Sequence, residues 1–296
     1  MAPSDSVFVV FPVKITDSCI ECLLSRVQLE CGLVGANAET TEKTTKSCRT
    51  LLISLKDSTL SHPQIASALH RQAYAMLKND DPFMDLKRRG NSEAIQVCRE
   101  VSPGLSGFRD FVVASVIGNT FDYGVKGHIV THNFSSFFRD EFEKGLVIDH
   151  TKAIFPLISR VVYLADNCGE IVFDRKLIQY LKLQGSHVTL AVKSRPVLND
   201  ATLEDARMLG LDRIADCLTV NSRKAEIGLC LEEAPPALKD AISRCTIIIA
   251  KGMANFESLF EREDLPPVAY LMAAKCQPVA SAAEVPLGSK IALLVR

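Results

Sequence analysis

Three short stretches carry side chains able to bind a cation and a phosphate group. Asp166-Asn167-Cys168-Gly169-Glu170 follows one apolar run and Ser194-Arg195-Pro196-Val197-Leu198-Asn199-Asp200-Ala201-Thr202 follows a second. Lys251-Gly252-Met253-Ala254-Asn255-Phe256-Glu257 follows a third. Asp166 and Asn167 offer one charged and one neutral oxygen, and Asp200 adds a second carboxylate. Such a hard-oxygen set suits a divalent cation, Mg²⁺ or Mn²⁺, and oxygen-rich sites also accept Co²⁺ or Ni²⁺. Lys251 adds positive charge, and the Lys251–Asn255 turn precedes a helix whose free amides could hold an anion. Cation, lysine and helix N-terminus together would equip the chain for phosphoryl chemistry. Each residue also has a plainer role open to it. Asp200 could cap a helix starting near Thr202, Asp166 and Asn167 could shape a turn at Gly169, and Lys251 could be a surface lysine.

What favours the joint reading is the elements that must carry these loops. From about residue 158, apolar β-rich runs recur at Arg160–Ala165, His187–Lys193, Cys217–Val220, Thr246–Ala250, Val268–Met272 and Ile291–Val295. Helical patterns separate them at Glu170–Gln184, Thr202–Leu209 and Asn255–Glu261. Near-continuous Val, Ile and Leu indicates strands buried on both faces, and strand–helix alternation indicates a doubly wound, mostly parallel sheet in a three-layer α/β/α arrangement. Ligands bind such sheets beyond the carboxyl ends of the strands, where all three polar loops fall.

The residues before this are mainly helical. Ser18-x-x-Glu21 reads as a capping box ahead of Ile20, Leu23, Leu24 and Val27. Ser61 and Pro63 open a second helix, which ends at Asn79-Asp80-Asp81-Pro82. A third covers Phe108 to Ile117 and closes at Gly118-Asn119, while the polar residues 39–46 form a loop or an exposed helix start. The expected organisation is a helical N-terminal region, 1–155, followed by an α/β metal- and phosphate-binding domain, 156–296.

Composition narrows the classes. With 34 Lys+Arg against 35 Asp+Glu in 296 residues there is no basic excess for a nucleic-acid partner. No apolar run spans a bilayer, and Val7–Phe11, broken by Pro12, lacks the charged start of a secretory signal. Ten scattered cysteines fit a cytoplasmic protein with reduced thiols.

The motifs resemble the metal-dependent damage-control phosphatase family, once a domain of unknown function. The resemblance rests on Asp-Asn-x-Gly-Glu-Ile-Val-Phe-Asp at 166–174, Pro-Val-Leu-Asn-Asp-Ala-Thr at 196–202 and Ala-Lys-Gly-x-x-Asn-Phe-Glu at 250–257. Cys19-x-x-Cys22 with Gln28, Asp81-Pro82-Phe83 with Lys87, and Gly118-Asn119 with Asp122 and Gly124 agree in order. The pattern is similar to the standalone, short prokaryotic-type branch with paired cysteines. It implies hydrolysis of phosphate monoesters, such as sugar phosphates or damaged phosphometabolites, with a divalent metal. Residue by residue, it implies metal ligands at Asp166, Asn167 and Asp200, and a substrate-holding loop at Lys251, Gly252 and Asn255. Asn119 and Asp122 would line the cleft between the two regions, and Glu170 is a candidate base or water-positioning group whose plainer role is favourable first-turn charge.

The chain departs from the family pattern at Cys168, where a small residue is usual, and at Met253-Ala254, where Gln-Gly is usual. Cys19 and Cys22 share a helix face and fit packing better than a zinc or redox site, because no second pair completes them. Lys87-Arg88-Arg89 reads as a solvated face. Two other classes stay open: an S-adenosylmethionine- or nucleotide-binding methyltransferase using the 166–169 turn, which lacks Gly-x-Gly spacing, and a non-enzymatic zinc or thiol interaction module.

Overall fold

The structure, a computed structural model, describes residues 16–120 and 134–296. Asp122, Gly124 and the Val7–Phe11 segment lie outside the described residues. Three helices open the chain: α1 (Asp17–Leu33), α2 (Ala38–Leu55) and α3 (His62–Leu77). The cap of α1 is Thr16, whose hydroxyl accepts from the Cys19 amide, so the helix starts ahead of the expected Ser18 box. Residues 39–46 lie in the first half of α2, capped by Asn37, and face mostly outward apart from the buried Thr44. At α3, the Ser61 amide donates to Gln64 at 2.9 Å, and the helix stops at Lys78, which turns left-handed at φ 52° ahead of Pro82. Ile20, Leu24, Val27, Leu52, Ile65 and Leu69 bury against one another and give these helices a core of their own.

Next come α4 (Met84–Val101), α5 (Phe108–Gly118), α6 (Phe134–Lys144), β1 (Ile148–Asp149) and α7 (Thr151–Ile154). The remainder alternates as the apolar runs require: β2 (Arg160–Leu164), α8 (Glu170–Leu183), β3 (His187–Val192), α9 (Leu203–Met208) and β4 (Cys217–Val220). It continues through α10 (Pro236–Arg244), β5 (Ile247–Lys251), α11 (Gly252–Leu259), β6 (Val268–Ala273), α12 (Gln277–Ala282) and β7 (Lys290–Val295). The Pro235-Pro236 break is the N-terminus of α10, where a missing amide hydrogen costs nothing.

The seven strands form one sheet in the order β1-β7-β6-β5-β2-β3-β4. All neighbours are parallel except β6 and β7. The short β1 runs parallel to β7, pairing Ile148 with Ile291. Successive strand residues point to opposite faces. Val161, Tyr163, Ile247 and Ile249 pack under α5 and α8, whereas Val162, Leu164, Ile248 and Ala250 pack under α11 and α12. Burial on both faces explains the near-continuous apolar runs. The strand order reverses between β5 and β2, whose carboxyl ends therefore open side by side.

Candidate active site

Asp166-Asn167 leaves the end of β2 and is fastened to the loop after β3. The Ala201 amide donates to the Asp166 carbonyl at 2.8 Å and the Cys168 amide to the Asn199 carbonyl at 2.8 Å. These bonds set Asn167 opposite Asp200 in an isolated antiparallel bridge. Two carboxylates and an amide from loops about 30 residues apart are thus held by backbone, not by flexible side chains. Asn167 Nδ2 donates to Asp166 Oδ2 at 2.7 Å, and Asn119, at the end of α5, donates to the same oxygen at 3.1 Å. Burial, reinforced by the neighbouring Glu170 and Asp200 carboxylates, holds the Asp166 carboxyl well above the usual range. Lys193 stands with its ammonium 3.4 Å from Asp200 Oδ2 and donates to the Gly228 carbonyl at 2.8 Å.

Asp166, Asn167 and Asp200 border a cleft of about 290 Å³ between the strand tips and the helices α1 and α3. Hard oxygen donors on adjacent backbones at the polar end of a cleft are chemically matched to a divalent cation. Among the described residues no three His, Cys, Asp or Glu side chains form a ready metal cage; the candidate set is two carboxylates and an amide oxygen.

Gly252 is needed for close approach. Its φ is +74°, and a Cβ built there would lie 1.8 Å from Asp166 Oδ2, so any side chain would displace the carboxylate. Asn255, one turn into α11, donates to the Lys251 carbonyl at 2.7 Å and fixes the end of β5.

Glu170 and Lys251 stand behind these groups, not among them. Both are fully buried. The Lys251 ammonium lies 2.9 Å from Glu170 Oε1 and 3.1 Å from Asp174 Oδ1, and donates to the Ser115 carbonyl at 2.9 Å. Burial opposes its charge, but Asp174 and Glu170 outweigh that and raise its pKa. Glu170 Oε2 accepts from Asn119 Nδ2 at 2.7 Å and Asn167 Nδ2 at 3.3 Å. The sequence-based roles change accordingly. Lys251, held by two carboxylates and a carbonyl, and Glu170, held by Lys251, Asn119 and Asn167, are not among the residues that line the cleft. Both sit one layer below, and Asn119 joins the layers by bonding Asp166, Glu170 and, through Oδ1, the Ala273 amide at 3.1 Å.

Several contributors carried no motif. Ser115 donates to Asp174 Oδ1 at 2.6 Å, and burial pushes the Asp174 carboxyl up to about 6. Lys87, expected on a solvated face, is buried between Asp81 at 2.7 Å and Asp205 at 3.8 Å, while Arg88 and Arg89 face solvent. Asn91 accepts from the Gly169 amide at 2.7 Å, so the turn that a cofactor would need is already occupied by protein. Tyr74, buried on α3, takes the Leu198 amide on its hydroxyl at 2.9 Å, where Leu198 holds φ 47° two residues before Asp200. Cys19 and Cys22 line the mouth of the cleft as free thiols.

A mostly parallel sheet with helices on both faces and a cleft at the carboxyl ends of its strands defines an α/β protein of the doubly wound class, whose ligands bind at such a place. The chain belongs to the damage-control phosphatase ARMT1-like domain family, which it matches over residues 15–291. It is 38% identical over 289 residues to a damage-control phosphatase of Archaeoglobus fulgidus, covering 96% of this chain and 100% of the relative. A damage-control phosphatase of Pyrococcus horikoshii is 28% identical over 291 residues, covering 95% of this chain and 98% of that one. The crystal structure of a DUF89 family protein from P. horikoshii has the same fold, with a TM-score of 0.87, 26% identity, and coverage of 95% of this chain and 98% of the other. The family resemblance carried by the ordered motifs is therefore borne out. Among the described residues, no helix is long and apolar enough to cross a membrane.

Proposed function

We propose that this chain is a metal-dependent phosphatase hydrolysing phosphate monoesters of small metabolites. The observation that supports it most is the bridge of Asn167 to Asp200, which sets Asp166, Asn167 and Asp200 on one cleft wall in a chain of the damage-control phosphatase family. Asp166, Asn167 and Asp200 would hold the cation, which when bound supplies Lewis-acid charge to a phosphate oxygen.

The chain's own residues do the remaining work. Asn119 orients the Asp166 carboxylate through one amide hydrogen and Glu170 through the other. Lys251 anchors Glu170 and Asp174 so that this lower layer cannot shift when charge builds above it. Gly252 leaves the Asp166 carboxylate its space. The helices α1 and α3 cover the cleft and limit the water around a bound ester. Asp122 lies outside the described residues and keeps only the role the resemblance implies.

The test is phosphate release from a generic ester by chelator-stripped protein, with Mg²⁺, Mn²⁺, Co²⁺ and Ni²⁺ restored in turn. Metal-restored release that falls at least ~10³-fold in Asp166→Ala, with folding intact, is the expected result. Release that is indifferent to chelation, or full activity in Asp166→Ala, would overturn the metal reading.

A further inference from the structure

We propose that the cleft selects phosphate monoesters whose alcohol part is an apolar chain or ring over those of polyhydroxylated sugars. This rests on the phosphatase reading above and narrows its substrate class. The end of the cleft that faces the strand tips is polar, whereas among the described residues its walls are mostly apolar. Leu23 of α1, Ala66 of α3, Leu198, Ile227, Met253 of α11 and Cys276 all line it. Met253 is held in place by the Lys275 amide, which donates to its sulfur at 3.2 Å. Burial pushes the Cys276 thiol up to about 11, which leaves it a small neutral hydrophobe at pH 7.

Two of the polar side chains on the same walls are paired with carboxylates. His62 pairs with Glu257 at 3.1 Å, joining α3 to α11. His70 is fully buried and pairs with Glu30 at 2.6 Å. A sugar entering this space would exchange water for thioether, thiol and methyl groups, and hydroxyls left without partners cost binding. An apolar alcohol would bury its surface against those same groups. A cavity of about 290 Å³ admits an organic part of modest metabolite size. Arg26 and Lys275, also on the cleft, add positive charge that suits the phosphate end.

The experiment compares kcat/KM for n-hexyl phosphate and benzyl phosphate with glucose 6-phosphate and fructose 6-phosphate. Their leaving groups are all primary alcohols, so binding and not leaving-group basicity separates them. The wild-type chain, supplied with its activating metal, is expected to favour the apolar pair at least ~10-fold, mainly through KM. Met253→Gln is expected to narrow that ratio ~3-fold or more by raising KM for n-hexyl phosphate. Equal or better turnover of the sugar phosphates overturns this inference alone. A ratio unchanged in folded Met253→Gln overturns the assignment of the α11 wall. Release from neither pair with any metal overturns the phosphatase reading itself and this inference with it.

Discussion

The layer under the strand tips and the wall facing it across the cleft are both buried, but they are built on opposite principles. Beneath Asp166, Lys251, Glu170, Asp174, Ser115 and Asn119 form one polar assembly in which a single ammonium is shared by two carboxylates. Opposite, α1 and α3 present Leu23 and Ala66, with His62 and His70 each paired to a carboxylate. A polar network in a low-dielectric interior is rigid when every member has a partner, so the lower layer fixes where atoms of the reacting group must sit. An apolar wall has no directional demand and sets which organic surface is welcome. The contrast teaches a division of labour in which the sheet supplies precision and the helices supply selection.

The largest break in this comparison comes from Lys251→Met. If the lower layer is a foundation built around one shared cation, removing that cation strands Glu170 and Asp174, and stability should fall by about 3–5 kcal/mol, read as a lower denaturant midpoint. A stable variant that loses only phosphate affinity would instead return Lys251 to the cleft.

Tyr74→Phe sharpens the comparison, because Tyr74 is where the helical side reaches into the positioning of the site. Losing its hydroxyl leaves the Leu198 amide without an acceptor and should cost about 1 kcal/mol or somewhat more in stability. Loosening of the loop before Asp200 should raise the dissociation constant for the activating cation by roughly 5–10-fold, measured by calorimetric titration. Unchanged cation affinity would confine Tyr74 to packing.

The smallest effect concerns pH. Asp174 titrates near 6 in the folded chain against an ordinary value of 3.8, so the folded state binds the extra proton between those values. Its contribution to stability is therefore complete below about pH 4 and is lost as pH rises through about 6. Asp174→Asn should flatten that part of the curve of thermal midpoint against pH, and an unaltered curve would mean that other groups control it.

The sheet was legible because strands buried on both faces must be written in Val, Ile and Leu. The candidate site was legible as far as loop position goes, since Asp166, Asn167 and Asp200 each follow such a strand. The lower layer was not. Ser115 meets Lys251 across 136 residues, and nothing local marks a serine inside the apolar α5 as a partner for a strand-end lysine. The buried Lys87 was hidden for a related reason, because its neighbours Arg88 and Arg89 are exposed and the run reads as uniformly basic. The short β1 escaped because two residues carry no period, and β7 was legible as a strand at 291–295 but not as an antiparallel one, because direction depends on how the chain returns.

Gly252 has a consequence for how the chain tolerates change. The space that a side chain would take there already belongs to Asp166, and the backbone sits at φ +74°. In a library randomised at every position, 252 should therefore behave like a reacting residue, rejecting even alanine, although it has no functional group to contribute. Screens that equate intolerance with chemistry would rank it beside Asp166, when what it supplies is an emptiness of about one methyl group.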